Sequence, residues 1–345
     1  MLLRAINVRN GAPPECLFSS LCELARDLPS VSGVDYSSIH IKIYLYINIM
    51  QKNTEQLLRQ FKALGDPQRL RLLALCRQGE CSVSELTHAL GQSQPRVSQH
   101  VKQLVEVGLL GRFRDGKHVY YRLPASRDGS HRHLLALIPD DDPQFQADAA
   151  RLRDRRGGDL AAVNRELVAD DAATRALQRV ILDQTVTAPI GDLLDVGCGR
   201  GGILKLLASR ANRAIGVDID SNAREIARAE LLLAGLPNCS LRKGDMYRLP
   251  FADQEFDTII LDDVLADAEY PVGVLLEAKR LLKPNGRMFA LLDISRMPSS
   301  EIQRQLAAWS VAAGLRMAPP RLVPNKNPSW LMSVATSADN TRVAA

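Results

Sequence analysis

Apolar positions along this chain follow two patterns, one in its first half and one in its second. From residue 50 they recur at helical spacing, as in Leu57, Phe61 and Leu64. From residue 189, short apolar runs such as "DLLDVG" and "FDTIILDDVL" alternate with helical patterns. That alternation predicts a parallel sheet covered by helices. A length of 345 residues agrees with two domains.

Punctuating residues predict where the next two helices of the first half begin and end. Asp66 is placed to cap a helix whose first position is Pro67, and this pair is typical of a helix N-terminus. Ser82 or Ser84 can cap a third, short helix, which Gly91 ends.

A fourth helix and a hairpin complete the first domain. The helix is predicted over 95–107, and the run 111–123 consists of two β-prone segments joined at Asp115-Gly116, a strong hairpin signal. Short helices followed by such a hairpin predict an α+β winged helix-turn-helix domain, which we assign to residues 50–125.

The fourth helix has one apolar face and one polar face. Val97, Val101 and Leu104 cluster on one side and must pack inward. Polar side chains on the other side suit base edges and phosphates, and two basic residues at the hairpin tip suit the backbone or minor groove. The predicted DNA-binding residues are Gln94, Arg96, Ser98, Gln99, Lys102, Gln103, Arg114 and Lys117. A winged helix used only for protein contacts is the alternative.

The charge distribution supports the nucleic-acid interpretation. The whole chain has a formal net charge of +5, but residues 50–125 alone contain twelve Lys or Arg against six Asp or Glu. A local basic excess favours a polyanionic partner, because neutralised phosphates release counterions. A solvated basic surface would show the same excess.

These elements carry a family resemblance. The segments "LGDPQRLRLLALC", "SVSELTHALGQSQPRVSQHVKQLVEVGLL" and "GKHVYYRL" closely resemble the ArsR/SmtB family of winged-helix repressors over most of residues 54–123. The resemblance implies a homodimer that reads a palindromic operator in double-stranded DNA, with recognition helices about one DNA turn, ~34 Å, apart.

One departure from that family concerns its input. Members that sense arsenic or cadmium resemble this sequence but have thiolates where Ser82 and Ser84 stand. Serine hydroxyls are poor ligands for soft metals, so we expect no metal. Cys76 and Cys81 are interpreted as core residues. A thiol-redox repressor that uses these two cysteines is an alternative.

A glycine-rich turn follows the first apolar strand of the second half. In "LLDVGCGRGG" (193–202), Gly197, Gly199 and Gly202 let a ligand approach the backbone near a helix N-terminus, and they also satisfy the dinucleotide fingerprint. Asp195 disfavours a pyrophosphate and suits a ligand with a cationic amine. An NAD site is the alternative.

Acidic residues follow the later strands in a regular order. Asp218, in "GVDID", can accept both hydroxyls of a ribose, with Ile219 as an apolar wall for a base. In "KGDMYRLPF", Asp245 can accept from an adenine amino group beside Met246. Asp262 ends the fourth strand.

This ordered set resembles the class I S-adenosylmethionine-dependent methyltransferases over residues 190–336. The resemblance implies a Rossmann-like α/β fold, with "GLRMAPPRLVP" and "SWLMSVAT" as its closing hairpin, in a domain of residues 189–340. By position it implies that S-adenosylmethionine or S-adenosylhomocysteine is the ligand. Its methionine part would contact Asp195, Gly197 and Gly199, with Asp262 near the sulfur.

Whether this domain catalyses methyl transfer stays open at the level of sequence. In "LDDVLADAEYP", alanine and aspartate fill the places where related proteins often have histidines. Asp262 can act as a general base, or it can be a structural acid near a sulfonium.

The fusion of the two domains resembles bacterial regulators that respond to S-adenosylhomocysteine or S-adenosylmethionine. Our hypothesis is that ligand occupancy changes the placement of the recognition helices and therefore the affinity for the operator. The alternative is an active methyltransferase for a small molecule, with an autoregulatory DNA-binding domain.

The remaining segments have weaker signals. Residues 126–188 predict a helical connector that contributes to dimerisation, in which "RLRDRR" (151–156) is interpreted as solvated. Residues 1–49 form an extension without helical period, which favours a start at Met50 over a genuine N-terminal arm. No run approaches the ~18 apolar residues of a membrane span. Six scattered cysteines without a CxxC pair favour the reducing cytoplasm.

Overall fold

The structure is a computed structural model, and it describes residues 54–124, 135–139, 141–164, 172–186, 188–295 and 297–336. The expectations for residues 1–49 and for Met50 lie outside this part of the chain.

The chain divides into two units, residues 1–62 and residues 63–345. In the first unit the described residues, 54–62, are helical, as the spacing of apolar residues predicts. Leu57 and Phe61 are exposed there.

The second unit contains the predicted winged-helix domain from residue 63 onward, the helices that follow it and the predicted methyltransferase-like domain. Its winged-helix elements are α1 (Pro67–Arg77), β1 (Cys81–Ser82), α2 (Val83–Leu90), α3 (Gln94–Glu106), β2 (Gly111–Asp115) and β3 (His118–Arg122). The next helices are α4 (Pro143–Asn164) and α5 (Ala172–Thr185). The remaining elements are β4 (Gly191–Val196), α6 (Gly202–Leu207), β5 (Ala211–Asp218), α7 (Ser221–Leu233), β6 (Cys239–Lys243), β7 (Phe256–Asp262), α8 (Pro271–Leu281), β8 (Leu282–Asp293), α9 (Ser299–Ala312), β9 (Arg321–Val323) and β10 (Trp330–Thr336).

The predicted helix ends in the winged-helix domain are confirmed. The carboxylate of Asp66 accepts hydrogen bonds from two backbone N–H groups of the first turn of α1. Ser82 forms a reciprocal capping box with Glu85, and Gly91 ends α2 with a left-handed φ of 65°. At a position where the resembling metal sensors have a thiolate, Ser82 therefore serves as a helix cap.

The wing is an antiparallel hairpin, as predicted, with one shift in its turn. Asp115 pairs with His118, so the two turn residues are Gly116 and Lys117 rather than Asp115 and Gly116. β3 also pairs with β1, which completes a three-stranded sheet in the order β1-β3-β2.

The second domain is built on a seven-stranded sheet in the order β6-β5-β4-β7-β8-β10-β9. The five strands from β6 to β8 are parallel, and β10 is antiparallel to both β8 and β9. Strand interiors alternate between two cores: Leu194 belongs to one hydrophobic cluster and Leu193 to the other. The predicted doubly covered sheet with its closing hairpin is confirmed.

Helix α4 connects the two domains by packing. The interpretation of its "RLRDRR" run as solvated holds for Arg151, Arg153 and Asp154, which are exposed, but is wrong for Arg156. The helix lies against α1, α2 and α7. Its Leu152 shares one core with Leu232 of α7, and Arg156 is only 3% exposed. The guanidinium is stabilised because Glu85 and two backbone carbonyls accept its hydrogen bonds.

Candidate ligand pocket and nucleic-acid interface

The glycine turn after β4 brings the ends of β4 and β7 together. Gly197 has φ of +77°, and its N–H donates to the carbonyl of Val217 at 2.8 Å. A Cβ atom added here would clash with Val264 and lie 2.7 Å from the carbonyl oxygen of Asp262. Only glycine therefore allows this close approach.

Asp195 is the most unusual side chain of this turn. It is fully buried, and neither of its carboxylate oxygens has a hydrogen-bond partner within the part of the chain that is described. Burial, with the nearby charges of Asp262 and Asp218, raises the pKa of this carboxyl well above its usual range. A buried acid without partners is costly, so a donor or cation supplied from outside would stabilise it.

Asp262 lies at the end of β7, on the same edge of the sheet. Burial first, and then the charges of Asp263 and Asp218, raise its pKa to about 7. Asp263 has φ of +54° and accepts from the backbone N–H of Asp293 at 2.8 Å. A cationic ligand group at this edge of the sheet would therefore stabilise the ionised form of these carboxyls and be held by them.

Asp218 closes the turn from the neighbouring strand. Its carboxylate accepts from the backbone N–H of Gly199 and from that of Asp220, both at 2.8 Å. Ile219, which follows it, is 74% exposed and free to face a ligand. The predicted acid of β5 is thus held directly against the glycine turn.

The residues predicted for a base lie after β6. Asp245 accepts from the backbone N–H of Tyr247 at 3.0 Å, and Met246 packs against the main core of the sheet. These contacts fix the turn, while Asp245 keeps further acceptor capacity.

The recognition helix α3 presents most of its predicted residues to solvent. Val97, Val101 and Leu104 are buried. The exposed residues are Gln94, Arg96, Ser98, Gln99 and Lys102. Gln103 differs because its side chain accepts from Arg69 at 2.6 Å and is half-buried. A direct contact of the Gln103 side-chain oxygen with DNA requires this hydrogen bond to break.

The hairpin also presents its basic residues. Arg114 and Lys117 are exposed at the tip, and Arg114 donates to the carbonyl of Gly116. Asp115, between them, is buried instead.

Sequence reasoning missed why Asp115 is buried. Its carboxylate accepts from Arg224 and Arg228, which both belong to α7 of the other domain. Burial alone would raise the pKa of Asp115, but the hydrogen bonds from the two arginines outweigh burial and lower it. As a turn residue, Asp115 gave no signal of this partner.

Glu80 forms a second contact between the domains. Its buried carboxylate accepts from Arg228 at 3.1 Å, from Arg242 at 2.9 Å and from Arg122 at 3.4 Å. The guanidinium of Arg228 also lies 4.1 Å from the ring centroid of Tyr120. Acids of the winged-helix domain therefore meet arginines of the sheet domain in a buried network.

The two cysteines of the winged-helix domain are part of its hydrophobic core. Cys76 and Cys81 are buried, and the pKa of Cys76 is raised, first by a hydrogen bond with Cys81 and then by burial. Protonated, buried thiols are poor nucleophiles, which disfavours redox sensing.

Among the described residues, no group of three or more His, Cys, Asp or Glu side chains is placed to hold a metal ion. Within the same residues, no helix is both long and apolar enough to cross a membrane.

Comparison with known proteins identifies both domains. Residues 66–111 match the family model described as "Bacterial regulatory protein, arsR family", and residues 194–290 match that of a methyltransferase domain. The arsenic resistance transcriptional regulator ArsR1 of Pseudomonas putida is 43% identical over 94 residues, 27% of this chain and 73% of that regulator.

Two further relatives match a larger share of this chain. An uncharacterised 37.1 kDa protein in transposon TN4556 of Streptomyces fradiae is 32% identical over 185 residues, 46% of this chain and 52% of that protein. The ubiquinone/menaquinone biosynthesis C-methyltransferase UbiE of Dinoroseobacter shibae is 31% identical over 165 residues, 46% of this chain and 59% of the enzyme. This chain thus spans only a little over half the length of either relative.

The fold and its sites define a protein with a winged-helix DNA-binding domain joined to a methyltransferase domain. Through the first of these domains the chain belongs to the ArsR family.

Proposed function

We propose that this protein is a transcriptional repressor whose methyltransferase-like domain binds S-adenosylmethionine or S-adenosylhomocysteine as its effector. The observation that carries this proposal is the shared helix α7. It begins three residues after Asp218 of the pocket, and its buried arginines hold Asp115 of the wing. A pocket and a DNA-binding element that share a helix can be energetically coupled.

The residues of the pocket fit such a ligand. The unpartnered carboxylate of Asp195 suits the methionine ammonium group, which both ligands carry. Asp218 would accept from the ribose hydroxyls, with Ile219 against the adenine. Asp245 and Met246 would complete the adenine site. Gly197 and Gly199 would allow the methionine part to approach the backbone. S-adenosylmethionine additionally carries a sulfonium charge, which the acidic edge at Asp262 favours.

The DNA side of the proposal rests on the exposed face of α3. Gln94, Ser98 and Gln99 would read base edges, while Arg96 and Lys102 would contact phosphates or guanine. Arg114 and Lys117 of the wing would contact the backbone or minor groove. As in the family, we propose a homodimer on a palindromic operator. We place the protein in the cytoplasm, where such DNA lies.

An active methyltransferase for a small molecule is the second candidate. Asp262 favours it, because a carboxyl whose pKa is about 7 can accept a proton at neutral pH. The match to a C-methyltransferase also agrees with it. In that case the DNA-binding domain would regulate the gene of the enzyme.

Titration of the full chain with each ligand distinguishes the two functions. A DNA duplex selected from a random pool on the wild-type protein serves as the probe, and its affinity is measured with and without S-adenosylmethionine or S-adenosylhomocysteine. An effector changes this affinity about five- to 150-fold.

The matched variants are Asp218→Asn in the pocket and Asp253→Asn on an exposed carboxylate that pairs with Arg280. We expect Asp218→Asn to abolish the ligand effect while DNA binding without ligand persists, and Asp253→Asn to retain both. Unchanged DNA affinity together with methyl transfer to an acceptor would favour the enzyme.

A further inference from the structure

The segment from Asp218 to Arg224 contacts the ligand pocket on one side and the wing on the other. On the pocket side, the carboxylate of Asp218 accepts from the N–H of Gly199 at 2.8 Å. The backbone carbonyl of the same residue accepts from Arg224 at 2.8 Å, and Arg224 Nε donates to Asp115 at 2.9 Å. Three consecutive hydrogen bonds therefore connect the glycine turn to the wing.

Arg224 leaves little freedom in this connection. Its side chain is fully buried, and a second guanidinium nitrogen, Nη2, also donates to Asp115. A bidentate arginine–carboxylate pair fixes both the distance and the orientation of its partners. The guanidinium also donates to the carbonyl of Asp218, the last residue of β5. A movement of this end of β5 therefore also moves Arg224 and its partner Asp115.

The turn of the wing lies directly against the start of α7. A Cβ atom added at Gly116 would be 3.5 Å from the Cβ of Ser221. Lys117, next in the turn, is exposed where it can meet DNA. The methyltransferase domain thus contributes to the position of the wing tip.

We infer that binding of the ligand in the pocket changes the position of the wing, and that the Asp218–Arg224 segment transmits this change. This inference rests on the proposed function. A ribose whose hydroxyls donate to the carboxylate of Asp218 pulls on a group that also accepts from the backbone N–H groups of Gly199 and Asp220. The resulting shift passes through Arg224 to Asp115 and changes how Arg114 and Lys117 are presented to DNA.

A disulfide between the wing turn and α7 tests this inference in the full chain. The double variant Gly116→Cys/Ser221→Cys places two Cβ atoms about 3.5 Å apart, within the range of disulfides. Each single variant, treated with the same oxidant, controls for the other cysteines and for strain at Gly116, whose φ is +58°. Binding of S-adenosylhomocysteine and of S-adenosylmethionine is measured by calorimetry, and affinity for the selected duplex with and without each of them.

We expect the oxidised double variant to bind the ligands as the wild type does, while its DNA affinity changes less than twofold on ligand addition. Reduction should restore the wild-type response. An undiminished response in the oxidised protein would overturn the inference but leave the proposed function standing. Failure of the disulfide to form would overturn it as well, since the wing would then not be docked.

A second variant keeps the test open should the disulfide impair folding. Asp115→Asn removes the negative charge that pairs with Arg224 and Arg228, and Asp115 is not among the proposed contacts to ligand or DNA. We expect normal ligand affinity and a ligand effect on DNA reduced to below twofold. A full effect in this variant would contradict transmission through Asp115. Absence of any ligand effect in the wild type, with ligand bound, would instead remove the proposed function itself.

Discussion

Arg224 of the methyltransferase domain and Asp115 of the wing form a buried ion pair, with Arg224 Nε 2.9 Å from a carboxylate oxygen of Asp115. Side chains of both residues are at most 3% exposed. Removing Arg224 would leave the buried carboxylate of Asp115 with Arg228 as its remaining partner, and breaking a buried pair in this way is costly. The interface between the two domains therefore depends on a small number of buried charged side chains.

This dependence can be measured by substitution. Arg224→Ala should lower the free energy of unfolding by up to about 3–5 kcal/mol, because Asp115 then loses its bidentate partner and is left with Arg228. Arg304→Ala is the control, since Arg304 pairs with Glu301 but is 76% exposed, and about 0–1 kcal/mol is expected. Urea unfolding followed by circular dichroism measures both. Equal losses in the two variants would show that the buried pair adds nothing special.

Asp262 predicts a particular pH dependence of stability without ligand. Its pKa is about 7 in the folded protein, above the ordinary value of 3.8. A raised folded pKa contributes stability that is fully present below pH 4 and lost as the pH rises towards 7. Asp262→Asn removes this loss. The variant should therefore gain stability relative to the wild type between pH 5 and pH 8, on the order of 2 kcal/mol.

Thermal or urea unfolding at pH 5 and pH 8 checks the sign, with Asp253→Asn on an exposed carboxylate as control. If the stability of Asp262→Asn relative to the wild type falls as the pH rises, the burial of a protonated carboxyl at this site is contradicted.

The backbone of the glycine turn gives a further prediction. Gly197→Ala introduces a Cβ atom against Val264 and the carbonyl of Asp262, at a φ of +77°. We expect the free energy of unfolding to fall by about 1–3 kcal/mol, and the affinity for the ligand to fall as well. Gly158→Ala in helix α4 is the control, because its Cβ would meet nothing within 4 Å and it is not a residue of the pocket. Calorimetric titration and thermal unfolding separate the two variants, and similar behaviour of both would mean that the turn is not closed as described.

Much of this fold could be predicted from local patterns, because its signals are local. Asp66, the serine cap of α2 and Gly91 act within one helical turn, and apolar alternation reports burial strand by strand. The order of acids after β4 and β5 likewise follows from parallel strands that end at one edge.

The contacts between domains could not be predicted in this way. Asp115 and Glu80 both pair with arginines of the other domain that lie more than 100 residues away in sequence, as Asp115 does with Arg228 and Glu80 with Arg242. A charged run such as 151–156 predicts a solvated surface, yet the guanidinium of Arg156 donates to three acceptors in the interface. Gln103 lies on the polar face of its helix, which predicts an exposed side chain. Its hydrogen bond from Arg69 could not be predicted, because it depends on how α1 packs against α3.

The difference between Gln99 and Gln103 gives a prediction for DNA binding. Gln99 is exposed on α3, whereas Gln103 is held by Arg69 at 2.6 Å. Gln99→Ala should cost about 1–3 kcal/mol on the selected duplex and relax the choice of one base. Gln103→Ala should weaken binding to all sequences about equally. Repeating the selection from a random pool with each variant tests this, and a base-specific change in the Gln103 variant alone would reverse the assignment.

Control of DNA binding by an effector is tested most directly by the affinity of the wild-type protein for its selected duplex, at fixed salt, across a titration of S-adenosylhomocysteine and, separately, of S-adenosylmethionine. We expect at least one ligand to change the dissociation constant fivefold or more, and Asp218→Asn to remove the change. A constant affinity at ligand concentrations that saturate the pocket would contradict this expectation.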